Sequence, residues 1–367
     1  MKNNIPLIDL ATQYRAYKEE MDTAMGKVCE RASFIMGPEV TELERKLVLF
    51  CGADRCVTCA NGTDALVLAL RALDIGPGDE VITSAFSFIA TAEAIATVGA
   101  TPVFIDIEPD TCLIDAKKIE NKVTARTRAI IPVSLYGQCP DIDAVNAIAA
   151  RHELTVIEDA AQSFGARYKN GKSCAITRLA TTSFFPAKPL GCYGDGGAVF
   201  TDDPALAEKI ASLRLHGQSK RYYHRHIGMN SRLDTLQAAV LLVKLAHFPA
   251  EIEERQRIAR HYDKLLAGLP LERPIVHNGR LSVWAQYAVR VKDRDTVAQK
   301  LNDAGVATAV HYPLPLHLQE VFAPLGHRPG SLPVAEEAAR TVLSLPMSAF
   351  VAAEQQKQIA DALAAAL

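Results

Sequence analysis

The chain has 367 residues, of which 49% are hydrophobic and 22% are charged, and its formal net charge at pH 7 is −2. This composition is typical of a soluble globular protein that is long enough for two domains. The nearly balanced charge excludes a global electrostatic attraction to nucleic acid or to an anionic membrane surface. No apolar run has the character of a signal peptide or a membrane span, so we expect a cytoplasmic protein.

Short apolar runs alternate with helical patterns in the first two-thirds of the chain. The predicted strands cover residues 80–86, 101–107, 128–137 and 154–162. Helical patterns lie between them, for example at residues 91–99 and 142–153. Continuous β-branched runs that alternate with helices are typical of a parallel sheet covered on both faces. In such a sheet the chemistry gathers beyond the carboxyl ends of the strands.

The character of the chain changes after residue 248. A helical pattern at 233–248 is followed by a charged helix at 251–269, and then by proline-containing segments and short strands. We therefore predict two domains, a large one at residues 1–240 and a smaller α+β domain at residues 241–367.

Two of the eight cysteines, Cys56 and Cys59, have the spacing C-x-x-C. One such pair without a second pair of ligands is weak support for zinc, and we expect no metal site. The surrounding sequence, RCVTCANG, is apolar and predicts the buried end of a strand. A structural role is favoured over a redox pair because free cysteines are commonly buried.

Lys188 lies in an apolar segment, SFFPAKPLGCYGDGG, between two prolines and ahead of four glycines. Lysine is rarely fully buried without a partner, and desolvation makes its amine nucleophilic enough to form a Schiff base. The glycines permit close backbone packing and positive φ angles near this lysine. The alternative is a surface loop that turns into the strand GAVFTDD. The segment is not a nucleotide phosphate loop, because no helix opens directly after it.

Asp159 closes the apolar run VIED and is predicted at the carboxyl edge of the sheet. A carboxylate there could sit under a pyridinium nitrogen and keep it protonated. It could also bind magnesium or cap the next helix. The presence of Lys188 further along the chain favours the first of these roles.

Two further segments suit a phosphorylated, flat ligand. Residues 61–64, Asn-Gly-Thr-Asp, open an apolar helical pattern, where they are either ordinary N-caps or donors of backbone N–H groups to a phosphate. Ser183 would supply a second phosphate donor. Phe88 follows a predicted strand and could stack on a heteroaromatic ring, although a phenylalanine at such a position is more often core.

The order of five segments resembles the DegT-type nucleotide-sugar aminotransferase family. The segments are NGTDAL, FSFIAT, EDAAQS, SFFPAKPLGCYGDGG and GMNSRLDTLQAA. The similarity runs over essentially the whole chain, from IPLIDL near the start to HYPLPLH and LSLPM near the end. It implies an α/β fold of the aspartate-aminotransferase type (PLP-dependent transferase type I), with a mostly parallel central sheet and a smaller α+β C-terminal domain. It also implies pyridoxal 5′-phosphate (PLP) as the cofactor and a homodimer with the active site at the subunit interface.

The resemblance also assigns roles in cofactor binding. Lys188 would hold the cofactor as a Schiff base and move the proton, Asp159 would pair with the pyridinium nitrogen, and Gln162 would lie near the phenolic oxygen. Gly62, Thr63 and Ser183 would bind the phosphate, and Phe88 would cover the ring. Asn230 would reach the phosphate from the neighbouring subunit.

The implied substrate-binding residues are Arg232, His311 and Tyr312. The planar guanidinium of Arg232 could hold a substrate carboxylate with two hydrogen bonds. Lys220, Arg221 and Arg225 are further cationic candidates, in the basic and aromatic stretch 216–228. This short patch could suggest nucleic acid, but a flexible loop that closes over an anionic nucleotide sugar fits a nearly neutral chain better. The sequence before Ser183, SCAITRLATT, departs from the Gly- and Asp-containing turn of the family and puts that loop in doubt.

The implied reaction moves an amino group from L-glutamate to a nucleoside-diphosphate keto-sugar, with pyridoxamine 5′-phosphate as the intermediate form of the cofactor. The run at 183–197 is similar to that of enzymes that aminate C3 of UDP-2-acetamido-2-deoxy-3-oxo-glucuronate, on the route to bacterial surface polysaccharide such as lipopolysaccharide O-antigen. The alternatives are a 4-keto sugar, a dTDP-linked 3-keto-6-deoxy sugar, and a catalytically silent PLP-binding regulator. A sugar dehydratase of related fold is disfavoured, because histidine replaces the lysine in those enzymes.

Overall fold

The computed structural model describes residues 4–367, and its central feature is a seven-stranded sheet. The strands are β1 (Arg55–Cys59), β2 (Glu80–Ser84), β3 (Thr101–Ile105), β4 (Thr127–Ile131), β5 (Thr155–Asp159), β6 (Arg167–Tyr168), β7 (Gly171–Lys172), β8 (Leu179–Ser183), β9 (Gly197–Thr201), β10 (Gln218–Lys220), β11 (Tyr223–His224), β12 (Arg280–Leu281), β13 (Tyr287–Arg290) and β14 (Val342–Leu345). The central sheet has the order β1-β9-β8-β5-β4-β2-β3. The other strands form a β10-β11 hairpin, a β12-β6-β7 sheet and a β13-β14 pair.

Helices cover both faces of this sheet and build the C-terminal part of the chain. The α-helices are α1 (Leu10–Ala16), α2 (Lys18–Arg31), α3 (Pro38–Cys51), α4 (Gly62–Ala72), α5 (Ala90–Thr97), α6 (Ile142–Arg151), α7 (Pro204–Leu213), α8 (Thr235–Leu265), α9 (Arg294–Asp303), α10 (Pro333–Thr341) and α11 (Ala353–Ala366). Short 3-10 helices lie at Ala116–Lys118, Glu120–Lys122, Leu135–Gly137, Leu316–Leu318 and Glu320–Leu325.

The predicted parallel sheet is confirmed for its larger part. Strands β8, β5, β4, β2 and β3 run parallel, whereas β9 is antiparallel to both β8 and β1. All five residues of β2 are buried, as expected for a strand covered on both faces. Each predicted run contains or overlaps one of the strands β2 to β5. The carboxyl ends of β2, β5 and β8 therefore meet at one edge of the sheet.

Cys56 and Cys59 lie on opposite faces of the central sheet. Side chains three residues apart in a strand point to opposite sides, so Cys59 packs in the core beside Leu66 and Cys56 in the core beside Phe200. Both thiols are free and buried, and burial raises their pKa values above the ordinary range. This geometry agrees with a structural role and separates the two sulfur atoms from any shared metal ion or disulfide.

The sequence predicted two helices, at 233–248 and 251–269. This prediction is wrong. The structure has one continuous helix, Thr235–Leu265, with Pro249 in its interior. An interior proline removes a backbone hydrogen bond and crowds the preceding turn. Burial on both sides offsets that cost, since Phe248 packs in the core under the sheet and Tyr262 in the C-terminal core.

The same helix bears on the predicted domain division. Residue 240 falls inside α8, which contributes its first half to the core under the sheet and its second half to the C-terminal core. The division into residues 1–240 and 241–367 stays a prediction. Of the helices within residues 4–367, α8 alone has the length and composition of a candidate membrane span, and half of its most apolar window is buried inside the fold.

Candidate active site

A cavity of about 730 Å³ opens at the carboxyl edge of the central sheet. Asp159 at the end of β5 and Ser183 at the end of β8 line it from the sheet. The N-terminus of α4 and the segment after β2 supply a second wall. A third wall comes from the C-terminal part of the chain, with His311, Tyr312 and Ser344. The cavity therefore lies where the sequence predicted the chemistry to gather.

Lys188 lines this cavity and is half-buried. Its backbone N–H donates to the carbonyl of Phe185 at 2.8 Å, which closes a tight turn after β8. Burial lowers the pKa of the Lys188 ammonium, and the Asp159 carboxylate opposes this shift. The amine is thus held in the less solvated state that favours nucleophilic attack.

The glycines after Lys188 serve close packing of the backbone. A Cβ atom at Gly191 would lie 2.5 Å from the carbonyl oxygen of Pro186, and one at Gly197 would lie 2.3 Å from that of Asn61. The close approach predicted from the sequence is confirmed. The positive φ angles that glycine permits are not used, because none of the four glycines between 191 and 197 has a positive φ. The chain stays in ordinary backbone regions there and uses the missing side chains only for space.

Asp159 is buried and held by two donors at the floor of the cavity. Thr91 Oγ1 donates to Oδ2 at 2.7 Å, and the backbone N–H of Ala161 donates to Oδ1 at 3.1 Å. Burial raises the pKa of Asp159, whereas these hydrogen bonds and the Lys188 ammonium act in the opposite direction. Among the described side chains, no group of three possible metal ligands includes Asp159.

The start of α4 is a capped helix end that also lines the cavity. Asn61 is the N-cap, and its Oδ1 accepts the N–H of Asp64 at 2.8 Å. Gly62 and Thr63 both line the cavity, with the unpaired N–H groups and positive dipole of a helix start. A Cβ atom at Gly62 would lie 2.7 Å from Cβ of Ser183. The helix start and Ser183 thus lie side by side on the cavity wall and form the Gly62–Ser183 cradle, whose backbone N–H groups and hydroxyl are groups that can donate to an anion.

Gln162, Tyr312 and Phe88 form the upper wall of the cavity. Gln162 Oε1 accepts the N–H of Tyr136 at 2.9 Å, and its Nε2 donates to Tyr312 OH at 3.2 Å. The Phe88 ring lies 5.9 Å from that of Tyr312 and is 53% exposed. Phe88 is therefore not a core residue, and its face is available for stacking on a flat ligand.

His311 faces the same cavity from the C-terminal part of the chain. Its Nδ1 lies 2.9 Å from Ser344 Oγ. Burial, with a smaller contribution from the charge of Lys188, lowers the pKa of His311 to about 4. The imidazole is therefore neutral at physiological pH, and it presents a polar but uncharged group beside the amine.

Asn230 and Arg232 do not line the cavity of their own chain. Asn230 is exposed and pairs through its backbone with Leu215. Arg232 is half-buried, and its Nε is buried without a hydrogen-bond partner among residues 4–367. The further cationic candidates Lys220, Arg221 and Arg225 lie on or beside the exposed β10-β11 hairpin. Their roles stay predictions, because a single chain does not bring them to the site.

Three site residues escaped the sequence analysis. Thr91 ends the FSFIAT segment, and only its hydrogen bond to Asp159 reveals its importance. Tyr136 holds Gln162 through its backbone and His311 through its hydroxyl, which donates to the His311 carbonyl. Ser344 lies in β14, 33 residues after His311 in the chain, and its hydroxyl contacts the His311 imidazole. No local pattern signals these contacts, since each depends on the packing of distant segments.

The residues present fit a flat, phosphorylated heteroaromatic ring. A desolvated amine and a buried carboxylate line the same cavity, an exposed aromatic face lines its wall, and the Gly62–Ser183 cradle offers donors for a dianion. Such a constellation at the carboxyl edge of a mostly parallel sheet defines an enzyme that works through a reactive lysine.

The chain belongs to the DegT/DnrJ/EryC1/StrS aminotransferase family, whose model matches residues 15–364. It is 51% identical over 359 residues to the UDP-2-acetamido-2-deoxy-3-oxo-D-glucuronate aminotransferase of Pseudomonas aeruginosa, covering 98% of this chain and 99% of the relative. The crystal structure of S. venezuelae DesV in complex with ketimine intermediate superposes with a TM-score of 0.96 at 41% identity, covering 99% and 98% of the two chains. Spr1654 of Streptococcus pneumoniae, solved in a PMP form, has a TM-score of 0.90 at 28% identity and covers 95% of each chain. The predicted family, fold class and aminotransferase activity are confirmed.

Proposed function

We propose that this protein is a PLP-dependent aminotransferase that moves the amino group of L-glutamate to UDP-2-acetamido-2-deoxy-3-oxo-glucuronate. The observation that carries the proposal is the meeting of Lys188, Asp159 and the Gly62–Ser183 cradle in one cavity of about 730 Å³. Such a cavity is large enough for a cofactor together with the reacting part of a sugar. When bound, the cofactor ring withdraws electrons from the carbon whose proton is moved.

Each cavity residue then has a task that follows from its environment. Lys188, whose amine is desolvated, holds the cofactor in the resting enzyme and afterwards moves the proton at the substrate carbon. Asp159 stays beneath the ring nitrogen, because Thr91 and the Ala161 N–H fix both of its oxygens. Phe88 covers the ring and excludes water from one face.

Phosphate binding falls to the start of α4 and to Ser183. Backbone N–H groups at a helix start are good anion donors, and the positive end of the helix dipole favours the dianion. Gly62 allows Ser183 to approach closely, so the hydroxyl and the N–H groups converge on one point. Gln162, held by Tyr136, is positioned to contact the phenolic oxygen of the ring.

The choice of sugar is supported by the relative from Pseudomonas aeruginosa, whose name specifies this 3-oxo-glucuronate, and by the identity of 51% along nearly the whole chain. A uronate carries a carboxylate in addition to the diphosphate, so cationic side chains are needed. Arg232 and the hairpin residues Lys220, Arg221 and Arg225 supply them in this proposal. His311 and Tyr312 contact the sugar from the C-terminal wall.

A homodimer completes the site in this proposal. Large apolar side chains are exposed near the cavity mouth, with Phe88 at 53% and Phe185 at 51% exposure. A consecutive stretch of Phe34, Ile35 and Met36 is exposed at 44%, 50% and 38%. Contact with a second copy would bury such surface and would bring the partner's Asn230 to the phosphate.

We place the enzyme in the cytoplasm, because nucleotide sugars are made there. Its pathway in this proposal is the synthesis of surface polysaccharide such as the O-antigen.

The test begins with the absorption spectrum of the purified protein with PLP, before and after L-glutamate, for the wild type and Lys188→Ala. Lys292→Ala, an exposed lysine outside the cavity, is the matched control. We expect a visible band that glutamate bleaches in the wild type and the control, and no such band in Lys188→Ala. UDP-linked 3-oxo-glucuronate should then restore the band and yield an amino sugar by mass spectrometry.

The outcomes separate the parts of the proposal. A wild-type protein without a lysine-dependent band would refute the aminotransferase assignment. A band that bleaches with glutamate but is restored only by a 4-keto sugar or a dTDP-linked sugar would leave the chemistry intact and correct the substrate. A band that bleaches and is restored by none of these sugars would revive the silent regulator.

A further inference from the structure

His311 is held at two of its atoms. Its Nδ1 lies 2.9 Å from Ser344 Oγ, and its carbonyl oxygen accepts the hydroxyl hydrogen of Tyr136. Ser344 is 1% exposed, and its backbone pairs with Ala309 in both directions. The Nδ1 contact restrains the imidazole, and Nε2, which has no hydrogen-bond partner within residues 4–367, is the ring nitrogen left for a ligand in the cavity that His311 lines.

The Ser344 hydroxyl identifies the tautomer of this imidazole. A buried hydroxyl hydrogen needs an acceptor, and within residues 4–367 Ser344 Oγ contacts only His311 Nδ1 at hydrogen-bond distance. A neutral imidazole has one N–H donor and one acceptor nitrogen. If the hydrogen were on Nδ1, the hydroxyl hydrogen of Ser344 would have no acceptor among residues 4–367. Ser344 therefore donates to Nδ1, and the ring hydrogen is on Nε2.

The neutral state of the ring agrees with this assignment. Burial lowers the pKa of His311 to about 4, and the positive charge of Lys188 on the cavity wall acts in the same direction. An imidazolium would have to share the cavity with an ammonium. A neutral imidazole with an Nε2–H donor avoids that repulsion and still offers one directed hydrogen bond in the cavity that Lys188 lines.

We infer that Ser344 is a positioning residue that fixes His311 as an Nε2–H donor, and that this donor binds the keto oxygen of the sugar at the carbon to be aminated. The inference rests on the proposed function, because it names how the keto-sugar is recognised at that site. A donor at this oxygen polarises the carbonyl towards attack by the amino group that was taken from glutamate. Glutamate enters with an amine and becomes a keto acid only when it leaves, so the bleaching of the visible band on addition of glutamate does not use this hydrogen bond.

The tautomer is tested directly by ¹⁵N NMR on protein labelled at histidine, with His311→Gln to assign the His311 signals among the ten histidines. We expect the Nε2–H form in the wild type and in Ser344→Thr, which keeps a hydroxyl. Ser344→Ala should shift the His311 signals towards a mixture of both tautomers. An Nδ1–H form in the wild type, or no change in Ser344→Ala, would overturn the inference.

The functional part is tested by measuring the two half-reactions separately with rapid mixing. Losing one directed hydrogen bond in Ser344→Ala should lower the rate constant of the sugar half-reaction roughly tenfold and leave the rate of bleaching by glutamate within about twofold. Ser344→Thr should restore the rate. Ser348→Ala, a buried serine outside the cavity lining, is the matched control and should change neither half-reaction.

The kinetic outcomes also separate this inference from the proposed function. Equal slowing of both half-reactions, or of neither, would overturn the role of Ser344 while amino transfer itself stands. Absence of any Lys188-dependent transfer would overturn the proposed function, and the recognition of a keto oxygen would fall with it. The NMR measurement would still decide the tautomer in that case, because it needs no substrate.

Discussion

Thr91→Val provides a specific test of the Asp159 environment. The substitution keeps the side-chain volume and the β-branch but removes the hydroxyl that donates to Asp159 Oδ2 at 2.7 Å. Asp159 would keep one donor, the N–H of Ala161 at 3.1 Å. Because burial already raises the pKa of Asp159 and the Thr91 hydrogen bond lowers it, the variant should hold Asp159 at a still higher pKa.

The magnitude follows from the hydrogen bond that is lost. A hydrogen bond to a charged group contributes about 2 kcal/mol. The Thr91–Asp159 hydrogen bond is present with and without the cofactor. Only the part of its free energy that acts through the ionisation and orientation of Asp159 therefore changes the affinity for PLP. We take about half of it, about 1 kcal/mol, which corresponds to a roughly fivefold weaker Kd for PLP. The fall of PLP affinity with decreasing pH should also begin at a higher pH than in the wild type.

The assay is a titration of the apoprotein with PLP, followed by absorbance and repeated across the pH range. Thr91→Ser should retain the wild-type Kd, because it keeps the hydroxyl. Thr97→Val, an exposed threonine in the same helix, controls for the introduction of valine. A Thr91→Val variant whose Kd stays within about twofold of the wild type, with an unchanged pH dependence, would refute the view that Thr91 sets the state of Asp159.

Three other predictions concern the cradle, the buried carboxylate and a buried lysine. Gly62→Ala would place a Cβ atom 2.7 Å from Cβ of Ser183, so we expect PLP affinity to fall by roughly tenfold or more while inorganic phosphate no longer protects the apoprotein in a thermal-shift assay. Asp159→Asn should raise the Tm of the apoprotein at neutral pH, because the pKa of Asp159 is raised in the fold, its contribution to stability is lost as pH rises through that value, and a neutral amide avoids the loss. It should also slow the bleaching of the visible band by glutamate, because an amide does not keep the ring nitrogen protonated. Lys244 is 2% exposed, its Nζ has no hydrogen-bond partner among the described residues, and burial lowers its pKa to about 8. Lys244→Met should stabilise the protein by about 2 kcal/mol at pH 7, since roughly 3 kcal/mol of desolvation cost is removed and about 1 kcal/mol of cation–π contact with Tyr193 is lost. The gain should shrink as pH rises from about 8 towards the ordinary lysine pKa, and urea unfolding at several pH values would contradict this reasoning if it showed no gain at pH 7 or a constant one.

The sequence alone was sufficient for the sheet and for the reactive centre. The apolar runs of β2 to β5 predicted a mostly parallel sheet, because strands buried on both faces must be apolar along their whole length. Lys188 and Asp159 could be paired because each stands beside a strand end, and the ends of parallel strands converge on one edge. Asn61, Gly62 and Thr63 were recognisable as a helix start from local capping chemistry.

The sequence was misleading where local rules met tertiary packing. The sequence predicted separate helices at 233–248 and 251–269, but burial of Phe248 and Tyr262 on either side of Pro249 keeps α8 continuous. The glycines after Lys188 permitted positive φ angles, whereas Gly191 and Gly197 are needed only because a Cβ atom would collide with neighbouring backbone. In each case the deciding contact joins segments that no short pattern relates.

The sequence by itself determined which chemical groups the site contains, because a lysine, a carboxylate and a helix start carry their chemistry wherever they are placed. Only the tertiary structure decided how those groups are tuned. Thr91 holds Asp159 across 68 residues of chain, and Ser344 holds His311 across 33. Burial then sets the pKa of Lys188 and His311, and burial depends on every segment that packs around the cavity. Such couplings arise from distances between remote residues, which composition and periodicity do not encode.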